Sequence, residues 1–359
     1  MAINIIDHTA ALTSKVVGSF QEDIPVRAGF GGFFPEETTP SLEIDVEVER
    51  DNDLIAVDVM RFTEGNPNKA TKMTEHKYIP PYFKEEYFFQ RDTVYMNAIA
   101  NGVMNNRNIN RLITQRAVKG MTTSRKKIER AIRKQQADVL QTGIVTLVNG
   151  DNINYRRKAG SIVVKTGGQL WSAPTTAKPL DDLALAMTFL RDEGNSNGSD
   201  INVIMRSAAF NAFMEADQVK ESSDFRRIDR LKIDMPQFSE ATGMAFQGQV
   251  AAGDFTVNLW TYNEKYTDSS DVTQYYLDSN KVIVLPSDFQ GKTVFGALPT
   301  LTETSINGVT VDAPGIVEAN YLIRSFSDKK TLSSGLELTS APLVVPFTID
   351  KIYTMQVLA

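Results

Sequence analysis

The chain has no cysteine and only two histidines, His8 and His76, among its 359 residues. Without cysteine it cannot form disulfides, thiolate metal sites or cysteine nucleophiles. A serine–histidine–aspartate triad would depend on one of these two histidines, and the sequence contains no HExxH motif, EF-hand loop, Walker-type phosphate loop or dinucleotide fingerprint. The 44 acidic residues offer many carboxylate pairs, but nothing singles one out. We therefore predict no catalytic residue, no metal site and no cofactor.

Long apolar runs are also absent. No stretch reaches the ~18 consecutive apolar residues of a membrane helix, and no basic and apolar leader with a small-residue cleavage site follows Met1. We expect a soluble protein that is made and assembled in the cytoplasm. Apolar residues make up 42% of the chain, which is an ordinary globular composition, and its length suggests two or three structural units.

The net charge of -6 hides a separation of charge along the chain. Residues 36–58 hold nine acidic residues and one base, Arg50, whereas residues 107–134 hold ten bases and one acid, Glu129. Such runs are most often solvated faces. Two further interpretations stay open, a salt-bridge seam between subunits and a face turned toward nucleic acid.

Residues 121–148 read as the longest helix of the chain. Thr122, Thr123 or Ser124 can cap its first turn. The apolar residues recur mostly at steps of three and four, and they are Ile128, Ala131, Ile132, Val139, Leu140, Ile144, Leu147 and Val148. A helix of this length would extend roughly 40 Å, so we interpret it as a spine around which the other elements are organised.

The clearest strand lies at residues 42–49, where apolar residues alternate with acidic ones. A second apolar run at residues 54–60 would complete a hairpin after the turn-rich residues 50–53. Residues 62–81 are polar, contain Gly65 and three prolines, and show no helical stripe. A loop of that length inside a compact domain is usually functional or reaches another molecule.

Residues 27–37 combine three glycines with Phe30, Phe33 and Phe34. They do not form a phosphate loop, because neither a Gly-Lys-Ser/Thr sequence nor the start of a helix follows them. We interpret this stretch as an extended arm. Its aromatic rings would dock either on the core of the same chain or on a neighbouring subunit.

Beyond a linker at residues 167–179, helices and strands are mixed. Asp181 and Asp182 mark the start of a helix, and Ser207 is predicted to cap a later one. Strands are predicted at residues 201–205, 255–262, 274–277, 281–285, 316–325 and 335–338. The fold class is therefore α+β, with a unit boundary in the linker.

Five features of the chain follow one another in a recognisable order. They are the hairpin at residues 42–60, the polar loop at 62–85 with its Tyr-Ile-Pro-Pro-Tyr-Phe-Lys ending, the Arg/Lys-rich entry to a helix at 125–148, the Leu-Trp-Ser-Ala-Pro and Lys-Pro-Leu-Asp-Asp linker, and the closing Ser-Ala-Pro-Leu-Val-Val-Pro at 340–346. In this order and spacing the chain resembles the major capsid proteins of tailed bacteriophages, in the branch of the phage lambda major head protein (capsid E). The resemblance covers nearly the whole chain.

The resemblance implies the HK97 capsid fold. Its parts would be an N-terminal arm at residues 1–41, a peripheral domain at 42–178 with an extended loop at 62–85 and a spine helix at 121–148, an axial domain at 179–330, and C-terminal strands at 331–359 that return to the peripheral domain. The extended loop would lie over a neighbouring subunit. Its contact residues would be Lys69, Lys72, His76, Lys77 and Tyr78.

The function implied by the resemblance is that of a major capsid protein, which is not an enzyme. It would self-assemble as hexamers and pentamers into an icosahedral shell around packaged double-stranded DNA, and so become part of the virion. Implied partners are further copies of the chain, a scaffold protein, a portal and, in some relatives, a decoration protein. DNA would be contacted only non-specifically in the interior, and no membrane would be involved.

The capsid role implied by the resemblance favours a salt-bridge seam between subunits over a face turned toward nucleic acid. A negative net charge suits a shell interior in which DNA slides better than it suits a DNA-binding protein. We therefore predict that the basic run pairs with the acidic strand of a neighbour. The predicted seam consists of Arg125, Lys126, Arg130 and Arg133 on one side and Glu43 and Glu47 on the other.

Three alternatives differ in what would be observed. A shell of the same fold that encloses enzyme cargo in bacteria would contain protein instead of DNA. Another phage structural protein, such as a tail-tube protein, would lack the spine helix and the extended loop. An unrelated enzyme would be a small, discrete oligomer with a pocket and turnover.

Overall fold

The computed structural model describes residues 26–50, 72–89, 106–147, 152–198, 200–223, 231–268, 270–306, 309–328 and 333–359. The α-helices in these ranges are α1 (Asn106–Thr142), α2 (Pro179–Asp192), α3 (Ser207–Glu215) and α4 (Asp217–Ser223). The strands are β1 (Glu36–Thr38), β2 (Ile44–Arg50), β3 (Lys72–Tyr78), β4 (Phe83–Phe89), β5 (Ile144–Thr146), β6 (Asn152–Asn154), β7 (Ile162–Val164), β8 (Asp200–Met205), β9 (Leu231–Phe238), β10 (Met244–Ala252), β11 (Phe255–Tyr262), β12 (Lys265–Thr267), β13 (Thr273–Tyr275), β14 (Lys281–Pro286), β15 (Gly291–Phe295), β16 (Leu298–Ile306), β17 (Val309–Val317), β18 (Leu322–Asp328), β19 (Ser333–Ser340), β20 (Pro342–Pro346) and β21 (Tyr353–Gln356). The predicted α+β class is confirmed.

The chain divides into two compact units, each assembled from separate parts of the sequence. The first unit comprises Met1–Arg27, Tyr82–Ile132 and Leu298–Ala341, and the second comprises Ala28–Pro81, Arg133–Ala297 and Pro342–Ala359. Helix α1 contributes residues to both units. The scheme of arm, peripheral domain, axial domain and returning C-terminal strands stays a prediction.

A seven-stranded mixed sheet forms the core of the second unit, in the order β7-β21-β14-β8-β11-β10-β9. The central strand β8 runs parallel to β11 and antiparallel to β14, which places Val203 between Leu259 and Val284. Alternate residues of these strands pack with α2 and α3 in one cluster that includes Trp171, Leu183, Met187, Leu190, Phe213, Val257 and Met355. Burial of each such large side chain contributes about 1.5–3 kcal/mol, so this cluster is the main source of stability of the unit.

Helix α2 begins as its sequence predicts, with a proline in the first turn followed by Asp181 and Asp182. Asp182 is buried, and its two carboxylate oxygens accept hydrogen bonds from Lys165 Nζ at 2.5 Å and from Trp171 Nε1 at 3.0 Å. Trp171 is fully buried. The Lys165–Asp182–Trp171 contact therefore ties the end of β7 and the linker to the first turn of α2.

Arg157 clamps the C-terminal end of α1 within the second unit. Its Nη1 donates to the Leu140 carbonyl at 3.2 Å and to Thr354 Oγ1 at 3.1 Å. Its Nη2 donates to the carbonyls of Ser161 at 3.0 Å and Ile352 at 2.8 Å. One guanidinium thus joins the last turn of α1, the start of β7 and the segment that leads into β21.

The Arg157 side chain also explains where α1 ends. Gly143 follows the helix with φ +72°, and a Cβ at this position would lie 2.5 Å from Arg157 Cδ. Glycine is therefore required both for the left-handed backbone and for the close approach. Burial lowers the pKa of Arg157 to about 10, with Asp350 opposing the change, so the guanidinium stays charged at neutral pH.

In the first unit, α1 lies beside the three-stranded sheet β18-β19-β4. Gly120 faces the ring of Tyr87 in β4, and a Cβ on Gly120 would lie 2.6 Å from that ring. About two turns further along the helix, Lys127 Nζ contacts Glu85 Oε2 at 2.9 Å. Strands β16 and β17 form a separate two-stranded hairpin.

The predicted limits of the spine helix, residues 121–148, are wrong at both ends. The helix begins at Asn106 and ends at Thr142. Gly120 permits the longer start because Tyr87 packs against it, and Gly143 stops the helix before β5. Thr122 is not a cap, since its hydroxyl donates to the Val118 carbonyl inside the helix at 2.9 Å.

Other boundaries also differ from the prediction. Strand β2 pairs with β3, in the register Ile44↔Tyr78 to Arg50↔Lys72, so the predicted loop at 62–85 contains β3 and the start of β4. The predicted partner strand at 54–60 lies outside the described residues. The stretch expected to be extended forms a 3-10 helix at Gly29–Phe33.

Ser207 does not cap α3 with its side chain, because it is already the first residue of that helix. Its hydroxyl instead accepts a hydrogen bond from Asn263 Nδ2 at 2.7 Å, and its backbone N–H donates to Asn263 Oδ1 at 3.2 Å. The strands predicted at residues 201–205, 255–262 and 281–285 are confirmed as β8, β11 and β14. No helix within the described ranges is both long and apolar enough to span a membrane.

Candidate subunit-contact surfaces

The hairpin of β2 and β3 carries the predicted acidic strand. Its seven residue pairs form a two-stranded sheet, and no third strand joins it among the described residues. The register sets Glu47 directly opposite Glu75, and Asp45 opposite Lys77. A two-stranded hairpin is marginally stable at best by itself in water, so a further contact is expected to stabilise this one.

The base of the hairpin is fixed within the second unit. The ring of Tyr78 makes an edge contact with the ring of Tyr155, with centroids 5.5 Å apart and an interplanar angle of 64°. Tyr155 is buried and donates its hydroxyl to the Val344 carbonyl at 2.7 Å. Burial raises the pKa of both hydroxyls, and the nearby Arg156 opposes the rise at Tyr78. Both tyrosines are therefore neutral anchors.

The five residues predicted to contact a neighbour through the extended loop occupy different positions. Lys69 lies outside the described residues. Lys72 and His76 are in β3, Lys77 is exposed, and Tyr78 packs on its own unit through Tyr155. Tyr78 thus fixes the base of the hairpin, and contacts of Lys72, His76 and Lys77 with a neighbour stay a prediction.

The aromatic arm docks on its own chain at two of the three predicted residues. Phe30 and Phe34 are buried, with ring centroids 4.8 Å from Tyr262 and 5.6 Å from Phe289 respectively. Phe33 is only partly buried. Of the two open interpretations of the arm, docking on the same chain is the one that the described contacts show for Phe30 and Phe34.

Arg133 lies beneath this arm. A Cβ on Gly31 would lie 2.6 Å from Arg133 Nη1, and the same nitrogen donates to Gln136 Oε1 at 3.0 Å. Gln136 is fully buried and donates to Thr293 Oγ1 at 3.1 Å, which in turn donates to the Phe34 carbonyl at 3.3 Å. The chain Arg133–Gln136–Thr293 therefore connects α1 to the arm. Sequence reasoning placed Arg133 in an intersubunit seam and missed this role.

The remaining predicted seam residues lie along α1 and near β2. Arg125 Nε contacts Glu129 Oε1 at 2.9 Å, and its guanidinium lies 5.1 Å from the centroid of the Tyr321 ring. Lys126 and Arg130 are partly exposed, and Glu43 is exposed. Glu47 lies within β2. Their pairing across subunits stays a prediction.

A cleft of about 680 Å³ opens beside the arm in the second unit. Phe33, Phe289 and Phe347 line it, together with Lys292, whose Nζ contacts Glu37 Oε2 at 2.6 Å. Gly291-Lys292-Thr293 matches the last residues of a phosphate loop, but it lies in strand β15 and not at the start of a helix. Its lysine is neutralised and its threonine is engaged by the arm. The cleft is therefore a poor phosphate site.

Within the described ranges, no group of three or more His, Asp or Glu side chains is placed to hold a metal ion. The prominent polar clusters are instead structural. Asp288, for example, accepts hydrogen bonds from Lys351 Nζ at 2.6 Å, Ser196 Oγ at 2.8 Å and the Asn197 N–H at 3.1 Å. Burial opposes ionisation of Asp288, but these three donors outweigh it and lower its pKa.

Solved structures similar to this chain include capsid-related proteins. A crystal structure described as a capsid protein of a prophage of Escherichia coli CFT073 matches with 16% identity over 100% of both chains, at a TM-score of 0.57. A phage-related protein from Bordetella bronchiseptica RB50 matches with 10% identity over 99% of this chain and 97% of its own, at 0.47. The SrpI encapsulin of Synechococcus elongatus PCC 7942 matches with 11% identity over 97% and 95%, at 0.46.

The first of these matches supports the HK97-type capsid fold that the sequence resemblance implies. A search of curated protein sequences found no match. The family model described as phage major capsid protein E matches residues 9–357, nearly the whole chain. The resemblance inferred from the order of elements is therefore confirmed, and the chain belongs to the phage major capsid protein E family.

Proposed function

We propose that the chain self-associates as pentamers and hexamers into the icosahedral shell of a tailed-phage head, which encloses packaged double-stranded DNA. Its role in this proposal is structural and not enzymatic. Assembly takes place in the host cytoplasm with a scaffold protein and a portal, and the product is part of the virion. DNA is contacted non-specifically in the interior, and a decoration protein is a further partner on the outside.

The β2–β3 hairpin is the observation that carries this proposal. It is held at its base by Tyr78, yet within the described residues no further strand covers it. An isolated two-stranded hairpin is only marginally stable in water. A basic surface on a neighbouring subunit would stabilise the strands and neutralise the carboxylates together.

Helix α1 offers such a surface to a neighbour. Over residues 107–134 it carries ten bases against one acid. We propose Lys126 and Arg130 as the central seam residues, facing Glu43 and Glu47 of the next copy, with Arg125 at the edge. Arg133 is excluded from the test because it supports the arm of its own chain. Lys69, Lys72, His76 and Lys77 remain proposed contacts of the hairpin.

The arrangement of domains follows from the same proposal. Residues 42–178 would form the peripheral domain, residues 179–330 the axial domain around the capsomer axis, and residues 331–359 strands that return to the periphery. Residues 1–41 would form the arm. Many weak, repeated contacts of this kind allow reversible association, because a subunit in a wrong position can dissociate before the shell closes.

A charge-swap experiment tests the seam. Arg130→Glu should abolish assembly, since each subunit then places a carboxylate against an acidic hairpin, and Glu47→Lys in the same chain should restore it. Lys178→Glu is the matched control, because Lys178 is an exposed lysine of the second unit whose side chain is 72% accessible. Particle yield is measured by sedimentation and light scattering.

Two results would count against the seam: wild-type particle yield from Arg130→Glu, or failure of Glu47→Lys to restore particles when both variants are folded. The content of the particles distinguishes a phage head from a cargo compartment of the same fold. Shells that carry host protein and no DNA would favour the cargo compartment.

A further inference from the structure

Strand β7 is one edge of the seven-stranded sheet and has no role in the surfaces described so far. It pairs in parallel with β21 on one side, and among the described residues no strand pairs with its other side. The opposite edge strand, β9, contains Lys232 and Pro236, and lysine and proline are common protections of exposed edges. Strand β7, with the sequence Ile-Val-Val, has neither and is open to a further strand.

The backbone of β7 has hydrogen-bonding groups on its open side. The Ser161 carbonyl and the Lys165 N–H, at the two ends of the strand, bond to β21 at 2.8 and 3.0 Å. In a strand, the N–H and C=O of one residue point to one side and those of the next residue to the other side. The backbone groups of Ile162 and Val164 therefore point away from β21, toward the open side.

The side chains of the same two residues are exposed. Ile162 is 46% exposed and Val164 is 58% exposed, whereas Val163 between them packs against the apolar cluster under α2 and α3. Ile162 and Val164 thus share the face of the sheet that points away from those helices. Exposed β-branched side chains beside unused backbone donors and acceptors are the features of a site for strand addition.

The charges nearest to β7 in the sequence are paired within the chain. Lys165 Nζ lies 2.5 Å from Asp182 Oδ1, and Lys158 Nζ lies 3.3 Å from Glu193 Oε2. The strand itself has no charged residue. The edge therefore favours an apolar strand as its partner, and two copies of it would meet without opposing like charges.

The open edge is short. Gly160 before the strand has φ +93°, Gly167 after it has φ +60°, and both glycines are exposed. Because such left-handed backbone does not continue a strand, the chain turns away at both ends. A partner that runs past these ends gains no further ladder hydrogen bonds, so a strand as short as β7 itself is sufficient.

We propose that β7 pairs with β7 of a second copy of the chain, antiparallel and about a two-fold axis through Val163. In this register Ile162 lies opposite Val164 of the second copy, and Val164 lies opposite Ile162 of the second copy. Each such pair exchanges its N–H and C=O groups in ladder hydrogen bonds. The exposed side chains of the same pairs pack against each other on one face. The edge is thus complementary to itself.

The symmetry of this contact determines its place in an assembly. Adjacent subunits in a ring of five or six are related by the rotation of the ring and not by a two-fold axis, so β7 would join subunits of two different rings. The contact rests on the proposed function, and it adds a connection between pentamers and hexamers to the seam between the hairpin and α1.

Cysteine crosslinking tests the register, because the chain has no cysteine of its own. Chains with Ile162→Cys and chains with Val164→Cys, distinguished by tags, are assembled together and oxidised. Their Cα atoms would be about 5.5 Å apart across the axis, within the range that a disulfide spans, so a crosslinked heterodimer is expected in assembled shells.

Each cysteine variant alone is the control for the register. Identical positions would be about 8 Å apart, which is too far for a disulfide, so neither variant alone should crosslink. Shells that form without the heterodimer, or that crosslink equally well with one variant alone, would overturn the proposed contact and leave self-assembly intact.

A lysine on the open edge tests the role of the contact in assembly. Val164→Lys should cause loss of closed shells while pentamers and hexamers remain, because the rings do not use this edge. Leu185→Lys is the matched control, at an α2 residue that is 61% exposed, and should keep the shells. Shells at wild-type yield from Val164→Lys would overturn the contact. A wild-type chain that forms no particles with or without a scaffold would overturn the proposed function, and this contact with it.

Discussion

Replacing Arg157 by methionine is expected to destabilise the second unit by about 1–3 kcal/mol, the cost of leaving a buried hydrogen-bonding group without its partner. The variant removes one donor from each of the carbonyls of Leu140, Ser161 and Ile352. Leu140 keeps a hydrogen bond from Thr354 Oγ1 and Ser161 keeps one from the Thr354 N–H, both at 2.8 Å, so the main cost falls on the Ile352 carbonyl. The loss is limited further because methionine does not require burial of a charge, and because its side chain still fills the space beside Gly143.

The assay is equilibrium denaturation of the dissociated subunit in urea, monitored by tryptophan fluorescence. The chain's two tryptophans, Trp171 and Trp260, both belong to the second unit, so the signal reports on the unit that Arg157 stabilises. Arg156→Met is the matched control, since Arg156 is the exposed neighbour with φ +53° and should change stability by about 0.5 kcal/mol or less. A decrease below about 1 kcal/mol in the free energy of unfolding of Arg157→Met would show that water replaces the guanidinium. It would refute the claim that the Arg157 hydrogen bonds stabilise the second unit.

Three further predictions follow from described contacts. Asp182→Asn removes a buried charge partner and should cost about 2–4 kcal/mol in urea denaturation, against about 0.5 kcal/mol or less for the exposed Asp181→Asn; equal losses would contradict this. Gly120→Ala favours the helix by about 1 kcal/mol but forces a Cβ against the Tyr87 ring at a cost of about 1–3 kcal/mol. Calorimetry should therefore show net destabilisation of the first unit, and a Tm above that of the wild type would refute the close packing of Gly120 on Tyr87. Asp288 has a lowered pKa in the folded state, so its contribution to stability is present above the ordinary pKa of 3.8 and is lost as pH falls through the folded pKa. Between pH 3.8 and the folded pKa, the free energy of unfolding should therefore fall less steeply with pH in Asp288→Asn than in the wild type, and identical slopes would contradict this.

Local pattern was sufficient to predict several elements. The alternation of apolar and acidic residues at 42–49 gives β2, because a strand with period two can bury only one face. The paired aspartates at 181 and 182 give the start of α2, because carboxylates favour the amino end of a helix. In both cases a residue's neighbours in sequence decide its conformation.

The errors arose where partners distant in sequence decide the structure. Tyr87 packs on Gly120 within α1, and β2 pairs with β3, from which more than twenty residues separate it in the sequence. Gln136 and Thr293 are 157 positions apart, yet their hydrogen bond connects α1 to the arm. No periodicity marks such a pair. Arg133 was consequently placed in a charge seam, although it contacts Gln136 and the arm.

The contact surfaces were predictable only in outline. Opposite charges at residues 36–58 and 107–134 indicate complementary surfaces, but composition does not distinguish contacts within a chain from contacts between copies. The strand pairing adds what composition lacks, since it places the acidic strand in a hairpin that no third strand joins among the described residues. Such a two-stranded hairpin is a reason to expect a neighbouring subunit.

Negative-stain electron microscopy combined with light scattering, on the purified chain alone and with a scaffold protein, tests self-assembly most directly. The account predicts closed shells of uniform diameter, or free pentamers and hexamers when the scaffold is omitted. A stable monomer or dimer under both conditions, at concentrations where the protein is folded, would contradict it.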